Sequence, residues 1–216
     1  MVPVWSFPVT TQPKTARRLD RQFAVADPAS LALAAAGGPS SIVHGRTAVL
    51  RFSATSNGTG MAGARILVSG RPAGSAAFGP ARVVTATATG VAEFSVSPAR
   101  TTVYRVELEA DPSVRAERTL AVHQRVTLAA SRHRMRRGGA LQLSGRVAPG
   151  RAGRVSIQLL TASGWRTVAR PKLSARSAFH ATVVAALPGR YILRAVAAAT
   201  AQNAGGTSAS VTVRVR

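Results

Sequence analysis

Apolar residues recur at every second position along most of this chain. Ala64, Ile66 and Val68 alternate with Arg65, Leu67 and Ser69, and Ala92, Phe94 and Val96 alternate with Val91, Glu93 and Ser95. Tyr104, Val106 and Leu108 alternate with Arg105, Glu107 and Glu109, and Val211, Val213 and Val215 alternate with Thr212, Arg214 and Arg216. A period of two sends successive side chains to opposite faces of an extended backbone, so each run predicts a half-buried strand. Turn formers punctuate the runs at Asn57-Gly58, Thr89-Gly90, Asp111-Pro112, Ser163-Gly164 and Pro188-Gly189. No segment carries the wider apolar stripe of an amphipathic helix. The expected fold class is all-β, built from antiparallel sandwiches.

The pattern also repeats. SLALAAAGGPSSIVHGRTAVLRFSAT, followed by AGARILVSG, aligns with RVTLAASRHRMRRGGALQLSGRV, followed by AGRVSIQLL. Leu50 and Phe52 match Leu141 and Leu143, 91 residues on, and Tyr104 matches Tyr191, 87 residues on. Offsets of this size describe a repeating domain and not a short solenoid unit.

The stretches ARTTVYRVELEA and PGRYILRA resemble the penultimate strand of immunoglobulin-like and fibronectin-III-like modules, where a tyrosine closes a corner. GGALQLSGRV followed by AGRVSIQLLTASGWRTVA is similar to the tandem modules of exported actinobacterial surface or cell-wall-associated proteins. The resemblance spans nearly the whole chain and implies two sandwiches, residues 29–123 and 124–216. It implies tyrosine corners at Tyr104 and Tyr191, and it brings no catalytic residue with it. Trp5, Phe7 and Val9 ahead of Pro13 repeat the spacing of Tyr104, Val106 and Leu108 ahead of Pro112. Residues 1–28 are therefore expected to hold the last hairpin of a truncated preceding module, over residues 4–26. An unrelated leader is the competing reading.

Composition changes the picture in two ways. Apolar residues make up 46% of the 216, but aromatics only 5%, so cores must be built from aliphatic side chains and alanine. The formal net charge of +22 is also unevenly spread. Residues 124–216 carry 15 arginines and Lys172 with no acidic side chain, whereas residues 1–123 set 13 basic against seven acidic groups. Such a field invites an anionic partner, although 27 arginines against two lysines is also what a compositional bias would produce. With no cysteine, disulfides and thiolate chemistry are excluded. No apolar run reaches the roughly 18 residues of a membrane span. MVPVWSFPVTTQPKTARR lacks the order of a signal peptide, so an export address is expected outside this chain.

Candidate chemistry is sparse. Glu107 and Glu109 share a strand face opposite Tyr104, with Arg115 and Glu117 as expected cross-strand neighbours, which reads as surface pairing. A weak calcium site at Glu109 and Asp111 is the sharper alternative. His44, His123, His133 and His180 show no metal-ligand spacing, there is no nucleophile elbow, and the glycine-rich stretches lack the lysine of a phosphate loop. No catalytic residue, metal site or cofactor is expected, and the chain reads as not an enzyme.

The strongest charged feature is RHRMRR, expected as a loop. Its Arg132, His133, Arg134, Arg136 and Arg137, with Arg151 and Arg154, form the candidate site for an anionic polymer at one end of the second module. Trp165 is the candidate for stacking on a glycan, against a reading in which it packs over the sandwich. Specific nucleic-acid binding is not expected, since stacking aromatics are few.

Three functions follow as expectations. The first is a non-catalytic extracellular spacer or display stalk, monomeric, joined to neighbouring modules or a fused domain. The second is a binding module for anionic cell-wall polymers or glycans through the basic second module. The third is the accessory region of a larger cell-wall hydrolase or transferase.

Overall fold

The computed structural model describes residues 30–150 and 153–216. The expected hairpin at residues 4–26 lies outside the described residues. Among these the fold is all-β: every regular element is a strand, and no helix is long and apolar enough to cross a membrane.

The first half runs β1 (Leu31–Gly37), β2 (Ser41–Val43), β3 (Ala48–Ser56), β4 (Thr59–Gly60), β5 (Arg65–Pro72) and β6 (Arg82–Thr85). It continues with β7 (Val91–Val96), β8 (Thr102–Leu108) and β9 (Asp111–His123). One sheet holds β1, β3, β4 and β7, and the other has the order β2-β9-β8-β5-β6. The inward positions are those the alternation predicts: Leu50, Phe52, Ile66, Ala92, Val106 and Leu120 are fully buried in one cluster. The Phe52 and Phe94 rings stack at 5.9 Å, and Phe94 meets Tyr104 at 6.2 Å.

The second half runs β10 (Arg125–Val126), β11 (Ala129–Ala130), β12 (Arg134–Met135), β13 (Ala140–Ala148) and β14 (Val155–Thr161). Then follow β15 (Gly164–Ala169), β16 (Ala178–Val184), β17 (Gly189–Ala197), β18 (Gly206–Thr207) and β19 (Val211–Val215). Here β10 and β11 line the same edge of β13, whose other edge takes β16. The facing sheet has the order β12-β19-β17-β14-β15. A second core gathers Leu141, Leu143, Val155, Ile157, Phe179, Leu193 and Val213.

In each half the opening segment changes sheets. β1 pairs antiparallel with β3, whereas β2 pairs parallel with β9. Gly38, at φ 103°, makes the crossing, and a Cβ there would strike the Val49 carbonyl. Arg118 donates hydrogen bonds to the carbonyls of Gly37 and Gly38 and holds the crossing segment. β12 repeats the arrangement against β19. RHRMRR is therefore not simply a loop: Arg134-Met135 is a strand whose Met135 is buried in the second core, because an edge position beside β19 has one inward-facing side chain to fill.

Two other expectations change. The turn expected at Asp111-Pro112 falls earlier, and Asp111 already pairs with Leu108. Pro112 sits where the β8–β9 register shifts, and a residue without an N–H is harmless where the ladder is interrupted. Only Tyr191 makes the expected tyrosine corner. Its hydroxyl donates to the Leu187 carbonyl at 3.0 Å and accepts from the Leu187 N–H at 3.2 Å. Tyr104 instead packs against Phe94, and burial pushes its hydroxyl pKa up, with Arg82 opposing in part.

Candidate functional site

Among the described residues, the carboxylates of the first half are already engaged. Glu93 pairs with Arg51 at 2.7 Å, and Arg105 reaches both Glu107 at 3.6 Å and Glu117 at 2.9 Å. The register sets Arg115 opposite Glu107 as expected, but it sets Glu117 opposite Arg105 and gives Glu109 no β9 partner. Glu109 pairs with Arg65, whose hydrogen bond and charge hold the Glu109 carboxyl below its ordinary range. Asp111 accepts from the Ser113 N–H and hydroxyl at 3.1 and 2.6 Å. Glu109 and Asp111 are thus turned to Arg65 and Ser113, not toward one shared cation site.

Strand alternation divides RHRMRR between two faces. With Met135 inward, Arg134 and Arg136 project outward and are exposed. His133 Nδ1 lies 3.1 Å from the Thr212 carbonyl, and Arg137 Nε donates to the Ala186 carbonyl at 3.1 Å. Arg132 is exposed just before the strand. Arg154 does not join them. It precedes Val155, which pairs with Ala197 at the far end of β17, whereas Arg134 lies across β19 from Arg190. Seven residues of β17 separate these levels, roughly 23 Å at strand rise. The expected single basic end is therefore corrected: Arg134 and Arg154 mark opposite ends, because β12 and the start of β14 run to different ends of the sheet. Arg151 lies outside the described residues.

The neighbours Arg134 does have come from other strands. Arg134 pairs with Arg214, and Arg214 pairs with Arg190 on its other side. All three are exposed. They form one cross-strand row on the outer face of β12-β19-β17, with no acidic side chain anywhere in residues 124–216. The same face carries Trp165, whose cross-strand partner is the exposed Leu160. Trp165 does not enter the core; the Arg194 guanidinium lies over its ring at 4.0 Å. Arg194 Nε also donates to Gln158 Oε1 at 2.8 Å, which fixes its position over the ring.

The two halves meet without a linker, since β9 ends at His123 and β10 begins at Arg125. The segment between β17 and β18 reaches back to the first half. The Gln124 N–H donates to the Ala204 carbonyl at 3.0 Å, the Ala204 N–H to Val122 at 2.9 Å, and the Thr101 N–H to Gln202 at 3.0 Å. Asn203 is 5% exposed, and its side-chain amide donates to the carbonyls of Ala99 at 3.1 Å and Val122 at 3.4 Å. Gly206 is required by close approach, since a Cβ there would collide with the Gln124 carbonyl. A cleft of about 680 Å³ opens beside this junction, lined in part by Arg100, Arg154 and Gln202.

No protein-family model matches this chain, and no curated protein sequence matches it. Among solved structures, the Yersinia pseudotuberculosis adhesin InvE is 14% identical, with a TM-score of 0.34 over 86% of this chain and 58% of that one. Invasin, a bacterial integrin-binding protein, is 15% identical, with a TM-score of 0.38 over 86% of this chain and 39% of that one. A Salmonella alpha-2-macroglobulin mutant is 14% identical, with a TM-score of 0.37 over 87% and 16%. This chain spans less than two thirds of each of these proteins. The all-β assignment rests on the strands and registers described above, not on these likenesses.

Sequence reading found Arg134 and Trp165 but missed Arg190, Arg194 and Arg214. Their signal was present in the outward positions of GRYILRA and VTVRVR, yet only strand pairing brings them together. Asn203 was missed outright, because ATAQNAGG has no periodicity to single it out.

Proposed function

We propose that this chain is a non-catalytic, exported segment of an immunoglobulin-like array, monomeric, acting as a stiff spacer or display stalk for a neighbouring domain. The observation that carries this reading is the junction. Strand β9 passes into β10 with only Gln124 between, and Gln124, Ala204, Thr101 and Asn203 bridge the two modules by hydrogen bonds. A buried amide left without partners costs about 1–3 kcal/mol, so bending at this point is opposed by the loss of Asn203's two acceptors. A tether meant to be flexible would instead have a polar, glycine- and serine-rich segment between modules.

The chain has no cysteine, so one spin label can be placed in each module, at the exposed Val83 and Ser163. Pulsed electron spin resonance should give a single narrow distance distribution. A broad distribution in the unmodified junction would refute the stalk.

A further inference from the structure

The outer face of β12-β19-β17-β14-β15 is electrostatically unfinished. Like charges directly opposite one another on neighbouring strands repel, yet Arg134, Arg214 and Arg190 occupy one row across three strands. Adjacent members sit about 4.8 Å apart at strand spacing, and Arg136 extends the patch by about 6.6 Å along its strand. In the first module one outward arginine of the equivalent sheet, Arg105, is neutralised by Glu107 and Glu117, and another, Arg65, by Glu109. The second module has no acidic side chain to do the same.

From this geometry we infer that the face is a binding surface for an acidic polysaccharide, a chain of sugar units bearing carboxylate or sulfate groups. The arginine row supplies the charge: each planar guanidinium can donate two parallel hydrogen bonds to one carboxylate or sulfate, and the row spans several such groups. The next row supplies the sugar contacts. It holds Ile192, opposite Thr212, and Leu160, opposite Trp165, beside the paired Leu159 and Leu193, and an amphipathic indole presents apolar surface to the carbon-rich face of a sugar. Gln158 accepts from Arg194 through Oε1, which leaves its amide hydrogens to meet hydroxyls. A nucleic acid fits this face less well, since base-stacking surfaces set out several aromatic rings for successive bases and this face has Trp165 alone.

Two consequences distinguish this from a diffuse positive charge. Binding depends on the row and not on the total, and it relieves the repulsion within the row, so the ligand raises the module's stability. The inference is independent of the stalk: a flexible junction would leave this face intact.

The test uses the whole chain and four probes: polygalacturonate and dextran sulfate, which separate carboxylate from sulfate as the source of charge, neutral dextran, and a single-stranded DNA oligonucleotide. The triple substitution Arg134→Ser, Arg190→Ser and Arg214→Ser removes the row. Arg125→Ser, Arg146→Ser and Arg176→Ser removes the same charge from exposed positions away from this face. At least one acidic glycan should bind and raise the melting temperature, while neutral dextran does neither. The row variant should weaken that binding tenfold or more and flatten its salt dependence, the control by less than threefold. Trp165→Ala should weaken it about threefold or more. Equal losses in the two triple variants would reduce the effect to net charge and overturn the inference. Tighter binding of the oligonucleotide than of either acidic glycan would also overturn it, in favour of a nucleic acid.

Discussion

Met135 holds in the second module the place that Ile42 holds in the first. Each is the buried residue of a short strand running parallel to its module's last long strand, at 8% and 9% exposure. The side chain matters because it closes the core at a sheet edge where the opposing sheet has already handed over the chain. Met135→Ala should lower the second module's unfolding free energy by about 2 kcal/mol, toward the lower end of the range for buried methionine. Arg136→Ser, one residue on and outward, should change it by less than about 0.5 kcal/mol. Urea denaturation of the two variants checks the contrast.

At the junction, Asn203→Ala removes both side-chain hydrogen bonds to the first module. The expected loss of about 1–3 kcal/mol corresponds to about 5- to 150-fold faster local opening. Amide hydrogen exchange at Gln124 and Ala204, whose N–H groups bridge the modules, should quicken accordingly. Gly206→Ala should produce a larger effect, since its methyl group meets the Gln124 backbone and not a flexible side chain.

The two tyrosines should respond differently to removal of their hydroxyls. Tyr191→Phe deletes both bonds to Leu187 and is expected to cost about 1 kcal/mol. Tyr104→Phe should be nearly neutral, because Tyr104 is held by its packing against Phe94 and makes no corner. Thermal melts of the paired variants measure the difference.

These contrasts also show where a linear sequence stops informing. The alternation at Ile66, Val106 and Val213 was readable because a strand's period of two is local, and so was the repeat that carries it. RHRMRR was harder: four arginines and a histidine mask the single inward residue, although the Arg134–Met135–Arg136 parity repeats that of Ser41–Ile42–Val43. The outward positions of the basic residues were legible, but their assembly into one row was not. Arg134, Arg190 and Arg214 belong to three strands separated by long stretches of chain, and their adjacency is a matter of register, which is settled by which hydrophobic positions meet in the core.

The Arg65–Glu109 pair gives a pH dependence with a definite sign. Arg65 lowers the folded-state pKa of Glu109 below its unfolded value. Its contribution to stability is therefore present above the ordinary glutamate range and is lost as pH falls through the depressed value. Both side chains are exposed, so the readout is titration and not melting. Carbon-detected NMR should place the Glu109 midpoint below that of an isolated glutamate, and Arg65→Gln should return it to the ordinary range.

The passage of β9 into β10 through Gln124 alone sets a phase. A strand that leaves one module as the next begins has no slack in which to rotate, and the Asn203 contacts stop the remaining twist. On the stalk reading proposed above, each module's outward sheet is held at a constant azimuth relative to its neighbour, as treads are held about the post of a spiral stair. A stalk of this kind would transmit torque from one module to the other, and a ligand gripping the arginine row would fix the heading of both modules as well as their position.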